Sequence, residues 1–181
     1  IRESRELAER QAHAPADPIN PLRVIWELDQ RIPDAAILTG DSGTSAYWLG
    51  RDIRLRRGMK ASVSGSLATM GCGVPYALAA KLAFPERPVI AKRWKLARAR
   101  GAPWPDPRFV VLVLNNRDLS YVSWEQRVME GDPRYAATQS IPDLAYAEFA
   151  KLLGLDGVRV ERPDDVVAAW ERALASDVPF V

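Results

Sequence analysis

The sequence predicts an α/β protein in which helices cover both faces of a parallel sheet. Short apolar segments alternate with helix-forming segments along the chain, which is typical of this class. The segments that would form strands are apolar throughout, as in strands buried on both faces. Two of them run into polar turns, and ligands of open parallel sheets bind at such strand ends. The length of 181 residues suits one domain with a sizeable core.

The first half of the chain supplies three predicted strands and two clear helices. Residues 1–20 are polar and end in turn formers, so we interpret them as a linker or arm from a preceding domain. Asn20 and Pro21 form a helix start, because asparagine caps helices and proline suits their first position. The strands are predicted at residues 35–38, 61–64 and 88–91, and the helices at residues 21–32 and 74–84.

The second half continues the alternation. Phe109 to Leu114 is the most clearly defined strand, and it ends on two adjacent asparagines. Residues 92–100 are basic and helix-prone, and residues 101–107 form a predicted loop. Helices are predicted at residues 144–153 and 163–175, a short strand at residues 157–161, and the start of a final strand at residues 177–181.

Composition excludes several classes of function. Apolar residues make up 48% and charged residues 27%, and the net charge of +2 gives no reason to expect a nucleic acid partner. The longest apolar run is six residues, too short for a membrane span. A single cysteine fits a reducing, cytoplasmic location. Because the chain begins on Ile1 and stops where a strand is starting, we expect a piece of a longer protein.

Polar groups at the strand ends point to a phosphate ligand with a metal ion. The turn "GDSGTS" (residues 40–45) offers backbone N–H groups and hydroxyls at a helix start, which suits phosphate oxygens. Asn116 offers a hard amide oxygen, and Mg²⁺ takes such ligands beside phosphates. Met70 presents an adaptable apolar side chain among small residues. Taken singly, the asparagines are ordinary turn residues and Met70 is ordinary core filler, so the prediction depends on their combination.

Three segments together resemble a known family. The segments "GDSGTSAYW", "SVSGSLATMGCGVPYALAAKLAFPERPVIA" and "VVLVLNNRDLSYVSWEQR" are similar, in this order, to the pyrophosphate-binding (C-terminal) domain of thiamine diphosphate-dependent enzymes. The closest group is that of pyruvate oxidase, acetolactate synthase and the 2-keto acid decarboxylases. The resemblance covers residues 21–181 and implies the thiamine diphosphate-binding fold.

The resemblance also implies roles for individual residues. The diphosphate would lie against Ser42, Gly43, Thr44, Ser45, Ser120 and Tyr121. Ala68 and Met70 would contact the aminopyrimidine, with the Met70 side chain holding the cofactor bent. Mg²⁺ would be bound by the side chain of Asn116 and the main-chain carbonyl of Asp118. No catalytic residue is expected in this fragment.

One departure from the family pattern concerns the metal site. The family places a Gly-Asp-Gly motif, whose aspartate is a Mg²⁺ ligand, directly after a strand like residues 88–91. Here Ala91 is followed at once by Lys92, which resembles the far end of the helix after that motif. We expect a segment of about a dozen residues or somewhat more to be missing at the 91/92 junction. The alternative is a true deletion.

The resemblance implies a fragment of an enzyme that acts on 2-keto acids such as pyruvate and is not active alone. The activating glutamate would come from the pyrimidine-binding domain of a partner subunit, in a homodimer or homotetramer, and the resemblance leaves open a bound FAD in the full-length enzyme. A second hypothesis is a non-catalytic relic of this fold that serves subunit contacts. A third, a nucleotide-binding Rossmann-like domain, requires a Gly-x-Gly-x-x-Gly turn, which "GDSGTS" does not supply.

Overall fold

The computed structural model describes residues 2–91, 104–131 and 135–181 and contains one parallel sheet. In the order β2-β1-β3-β4, its strands are β1 (Ile37–Gly40), β2 (Lys60–Val63), β3 (Val89–Ala91) and β4 (Phe109–Val111). The α-helices are α1 (Arg2–Ala12), α2 (Pro21–Arg31), α3 (Thr44–Asp52), α4 (Gly73–Ala83), α5 (Ser120–Glu130), α6 (Ala136–Gln139), α7 (Tyr146–Leu152) and α8 (Val166–Ala175). A 3₁₀ helix, Pro163–Asp165, precedes α8. Over these three ranges, no helix is long and apolar enough to cross a membrane.

Helices pack on both faces of the sheet. Successive strand residues point to opposite faces, so β1, β3 and β4 each contribute to two clusters of buried side chains. One cluster joins Leu38, Ile90 and Val110 to side chains of α2 and α8, including Ile25, Leu28 and Trp170. The other joins Ile37, Val89, Phe109 and Val111 to Ala77 of α4. The predicted fold class, a parallel sheet with helices on both faces, is confirmed.

The start of α2 forms as its sequence predicts. Asn20 is the N-cap, and its side-chain oxygen accepts a hydrogen bond from the backbone N–H of Leu22 at 3.0 Å. In the segment predicted as a linker or arm, α1 packs against α2. The guanidinium of Arg5 lies 3.6 Å from the centre of the Trp26 ring.

Two predicted strands differ from the structure. The strand expected at residues 109–114 is shorter in the structure, because β4 ends at Val111 and the half-buried residues 112–114 lie outside it. Residues 157–161 do not form a strand, since this region pairs through one isolated bridge, between Asp156 and Phe180. The predicted helix at residues 92–100 lies outside the described residues, as does part of the loop at residues 101–107.

Candidate functional site

The turns after β1 and β4 meet at one edge of the sheet. Because the four strands are parallel, their carboxyl ends lie on the same side. The turn after β1 leads into α3, and the turn after β4 leads into α5. A Cβ placed on Gly43 would lie 3.7 Å from the Cβ of Tyr121. The structure therefore brings the first and last segments of the predicted site close together.

The turn before α3 has the backbone of an anion site. Gly43 is the N-cap of α3 and has a φ of 76°, in the left-handed region that favours glycine. No side chain caps this helix start. The first N–H groups of a helix point outward and carry a partial positive charge. Ser42, Thr44 and Ser45 add three hydroxyl-bearing residues to this turn, and their contact with phosphate oxygens stays a prediction.

The segment that carries Ala68 and Met70 is attached to the end of β1. The hydroxyl of buried Thr39 donates to the carbonyl of Gly73 at 2.6 Å. The carboxylate of Asp41 accepts the backbone N–H of Gly73 at 3.4 Å. These bonds connect the first residue of α4, just after the segment, to the strand that leads into the Gly43 turn.

Within this segment, the two predicted residues are exposed. Met70 exposes 69% of its surface, which leaves a large apolar side chain available to a ligand. Ala68 has a φ of 46°, a conformation that is uncommon for any residue other than glycine. Such strain concentrates at functional sites. The backbone of Ala68 and the side chain of Met70 are thus exposed at the surface, and their contact with the aminopyrimidine stays a prediction.

The Asn116 amide braces the turn between β4 and α5. Its Oδ1 accepts the backbone N–H of Asp118 at 3.2 Å, and its Nδ2 donates to the hydroxyl of Ser120 at 2.9 Å. Between them, Arg117 has a φ of 55°. The predicted metal ligands Asn116 and Asp118 therefore belong to one compact turn, together with the predicted diphosphate contact Ser120.

A charged pair supports the neighbouring asparagine. Asn115 donates from Nδ2 to Asp143 at 2.7 Å, and Arg159 lies 3.2 Å from the other oxygen of this carboxylate. The hydrogen bond from Asn115, and then that from Arg159, lower the pKa of Asp143. Sequence reasoning missed Asp143, because it lies outside the recognised motifs and only the fold brings it to the end of β4. It also gave no role to Thr39, which directly precedes "GDSGTSAYW" in the sequence but whose bond to Gly73 is visible only in the fold.

The Asn116 turn offers too few oxygen ligands for Mg²⁺ unless phosphate oxygens bind the metal as well. Asn116 provides one side-chain oxygen and Asp118 a main-chain carbonyl. Within the residues that the structure describes, no group of three His, Cys, Asp or Glu side chains is placed to hold a metal. Mg²⁺ takes few protein ligands when phosphates and waters complete its octahedron. The residues present therefore suit a metal that arrives with a diphosphate.

The comparisons with known proteins agree with this geometry. Residues 41–92 and 106–181 match the family "Thiamine pyrophosphate enzyme, C-terminal TPP binding domain", and every predicted site residue lies in these ranges. Over 173 residues, the chain is 34% identical to the "Putative thiamine pyrophosphate-containing protein YdaP" of Bacillus subtilis, covering 91% of this chain and 29% of that protein.

Two acetolactate synthases are more distant relatives. The "Acetolactate synthase, mitochondrial" of Schizosaccharomyces pombe is 29% identical, over 93% of this chain and 26% of its own length. The "Acetolactate synthase isozyme 2 large subunit" of Escherichia coli is 27% identical, over 92% of this chain and 31% of its own length. The chain thus spans less than a third of each of these relatives. It belongs to the thiamine pyrophosphate enzyme family, as a C-terminal TPP binding domain.

Proposed function

We propose that the chain binds the diphosphate of thiamine diphosphate, together with Mg²⁺, in an enzyme that acts on 2-keto acids such as pyruvate. The observation that carries this proposal is the proximity of Gly43 to Tyr121, whose Cβ lies 3.7 Å from a Cβ placed on Gly43. This proximity supports the proposal, because the turn before α3 would bind the diphosphate and the turn before α5 offers hard oxygens for a metal. Both turns lie at the carboxyl edge of the sheet, where open α/β sheets bind their ligands.

Each segment of the site has a separate task in this proposal. Ser42, Gly43, Thr44 and Ser45 bind the diphosphate with backbone N–H groups and hydroxyls, and Ser120 and Tyr121 close over it from α5. Asn116 and the carbonyl of Asp118 hold the metal. Ala68 and Met70 support the aminopyrimidine. When bound, the cofactor supplies a nucleophilic thiazolium carbon and an electron sink for decarboxylation, while the protein holds it in place and excludes water.

The relatives favour acetolactate synthase-like chemistry, with a second 2-keto acid as acceptor. We propose that the active site is completed by the pyrimidine-binding domain of a partner subunit, in a homodimer or homotetramer, which would supply the activating glutamate. The chain alone then binds the cofactor weakly and catalyses nothing. We place this enzyme in the cytoplasm. The proposal leaves open whether the full-length protein also binds FAD. The alternative reaction is transfer of the pyruvate oxidase type.

We further propose that a metal-binding segment is missing at the junction of Ala91 and Lys92. The match to the family is interrupted just beyond this junction, between residues 92 and 106. The intact mass of the protein purified from its natural source should exceed 20.1 kDa. Peptide sequencing should place an excess of about one to two kilodaltons, or roughly a dozen residues and more, at this junction. Extra mass at the ends does not bear on the junction, whereas direct continuity of Ala91 and Lys92 would favour the non-catalytic relic.

Calorimetric titration of the chain with thiamine diphosphate tests the proposed function. We expect weak, saturable binding in the presence of Mg²⁺ and none in EDTA, because the metal neutralises the diphosphate at the Asn116 turn. Titration of the chain with Mg²⁺ in the absence of thiamine diphosphate should give no measurable heat. A failure to bind thiamine diphosphate at any Mg²⁺ concentration would refute the cofactor-binding role, and equal binding in EDTA would refute the role of the metal.

A pair of glycine variants locates the bound diphosphate in the same titration. Gly43→Ala should weaken binding by about tenfold, since a φ of 76° costs an alanine about 1–2 kcal/mol and its methyl group narrows the approach to the turn. Gly50→Ala is the matched control, because a Cβ at Gly50 has no atom within 4 Å. This control should bind the cofactor as the unchanged chain does.

A further inference from the structure

We infer that Gln139 is a positioning residue for the turn that carries Asn116 and Asp118. It lies at the end of α6, a four-residue helix of which it is the buried member. Its side chain is 1% exposed, although it is a polar amide. A buried amide needs hydrogen-bond partners for its oxygen and its nitrogen. The hydrogen-bond partners of Gln139 show which parts of the chain it connects.

The Gln139 side chain forms hydrogen bonds with two side chains of α5. Its Oε1 accepts from the hydroxyl of buried Ser123 at 3.0 Å, and its Nε2 donates to the side-chain oxygen of Gln126. The Ser123 hydroxyl also lies 3.3 Å from both carboxylate oxygens of Asp118. A hydroxyl has one proton and two lone pairs, so Ser123 donates to one of these acceptors at a time. Ser123 therefore lies between Gln139 and Asp118, the residue whose carbonyl is the proposed metal ligand, and donates to one or the other.

The main chain at Gln139 pairs with the same turn. Leu119 donates its backbone N–H to the carbonyl of Gln139 at 2.9 Å, and Ile141 donates to the carbonyl of Arg117 at 2.9 Å. Asp118 and Ser140 form an antiparallel bridge between these two bonds. The turn at residues 117–119 is thus clamped from outside by residues 139–141, and the buried Gln139 side chain fixes this clamp to α5.

This clamp uses no side-chain atom proposed to touch the ligand. The bonds inside the turn both involve the Asn116 amide, and its Oδ1 is also the proposed metal ligand. When that oxygen turns toward a metal, its bond to the Asp118 N–H weakens, and the clamp still holds the turn in shape. The inference rests on the proposed function for its effect on metal binding, but not for the clamp itself.

Gln139→Met tests the inference, because it removes the amide and keeps the length of the side chain. We expect the amide hydrogens of Leu119 and Ile141 to exchange with solvent about tenfold faster. The concentration of Mg²⁺, or of Mn²⁺ as a probe, that gives half-maximal binding of thiamine diphosphate should rise by about 3–10-fold. Affinity for thiamine diphosphate at saturating metal should change much less. Ser123→Ala, a milder change, should move the same quantities in the same direction.

Trp170→Phe is the matched control. It removes one hydrogen bond of a buried side chain, from the Trp170 indole N–H to the carbonyl of Val24, away from the site. It should lower stability and leave the metal requirement and both amides as in the unchanged chain. The inference is overturned if Gln139→Met leaves both amides protected, or if it speeds their exchange without raising the metal requirement. If the unchanged chain does not bind thiamine diphosphate, the proposed function fails, and the exchange rates alone decide whether Gln139 holds the turn.

Discussion

Replacement of Asp29 by alanine is expected to lower the free energy of unfolding by about 2–4 kcal/mol. The Asp29 carboxylate is fully buried and accepts three hydrogen bonds. Arg5 donates from α1 at 2.9 Å, and Arg54 donates from its backbone N–H and from Nε, each at 2.8 Å. Loss of the carboxylate leaves the backbone N–H of Arg54 without this acceptor. The two guanidinium groups are partly exposed and can turn to water, which keeps the cost below that of a fully buried ion pair.

The measurement is chemical denaturation of the unchanged chain and of two variants. Asp34→Ala is the control, because Asp34 pairs with Arg56 at a similar distance of 2.9 Å but its side chain is 82% exposed. An exposed ion pair contributes about 0–1 kcal/mol, so this variant should lose little stability. Equal losses in the two variants would contradict a central role for Asp29 in joining α1, α2 and the segment after α3.

Stability is expected to rise by on the order of 3 kcal/mol between pH 8 and pH 10.5 because of Lys81. The side chain of Lys81 is fully buried in α4, and its Nζ donates to the carbonyl of Arg87 at 2.5 Å. Burial lowers the pKa of Lys81 from 10.5 to about 8, against the opposing effect of Asp106 and Glu86 and with a smaller contribution from Arg108.

The sign of the effect follows from the proton that each state holds. Below pH 8 the amine is charged in both states, and above pH 10.5 it is neutral in both. In between, the unfolded chain binds the proton and the folded chain does not, so stability increases with pH.

Urea denaturation at a series of pH values, with and without Lys81→Met, measures this effect. All other titrating groups are the same in both proteins, so the difference between the two curves isolates Lys81. The rise should be absent from Lys81→Met and retained in Lys151→Met, since Lys151 is exposed on α7. A difference between the Lys81→Met and unchanged curves that is constant from pH 8 to pH 10.5 would show that Lys81 has an ordinary pKa.

Features that depend on neighbouring residues in the sequence could be predicted. The cap of α2 is a local pattern of Asn20 and Pro21, and the structure contains it as expected. The parallel sheet follows from the alternation of apolar and helix-forming segments. The length of β4 did not follow, because the apolar run continues to Leu114 although the strand ends at Val111.

Buried polar residues with distant partners could not be predicted. Asp29 lies in a helix whose sequence suits a solvated acidic residue, and its burial results from arginines 24 and 25 residues away. Gln139 lies in a polar stretch with no apolar pattern, and its partners on α5 are 13 and 16 residues away. The recognised motifs supplied the residues that would touch a ligand, whereas the residues that hold those motifs in place are visible only in the fold.

The most direct test of the proposed cofactor site is a titration of the isotopically labelled chain with thiamine diphosphate and Mg²⁺, followed by nuclear magnetic resonance. Because weak binding suffices to move amide signals, the test does not need the partner domain. We predict that the signals of residues 42–45, 68–70 and 116–121 shift together and saturate at one concentration of cofactor. Shifts confined to other segments, or no shifts at millimolar cofactor, would contradict a thiamine diphosphate site at this edge of the sheet.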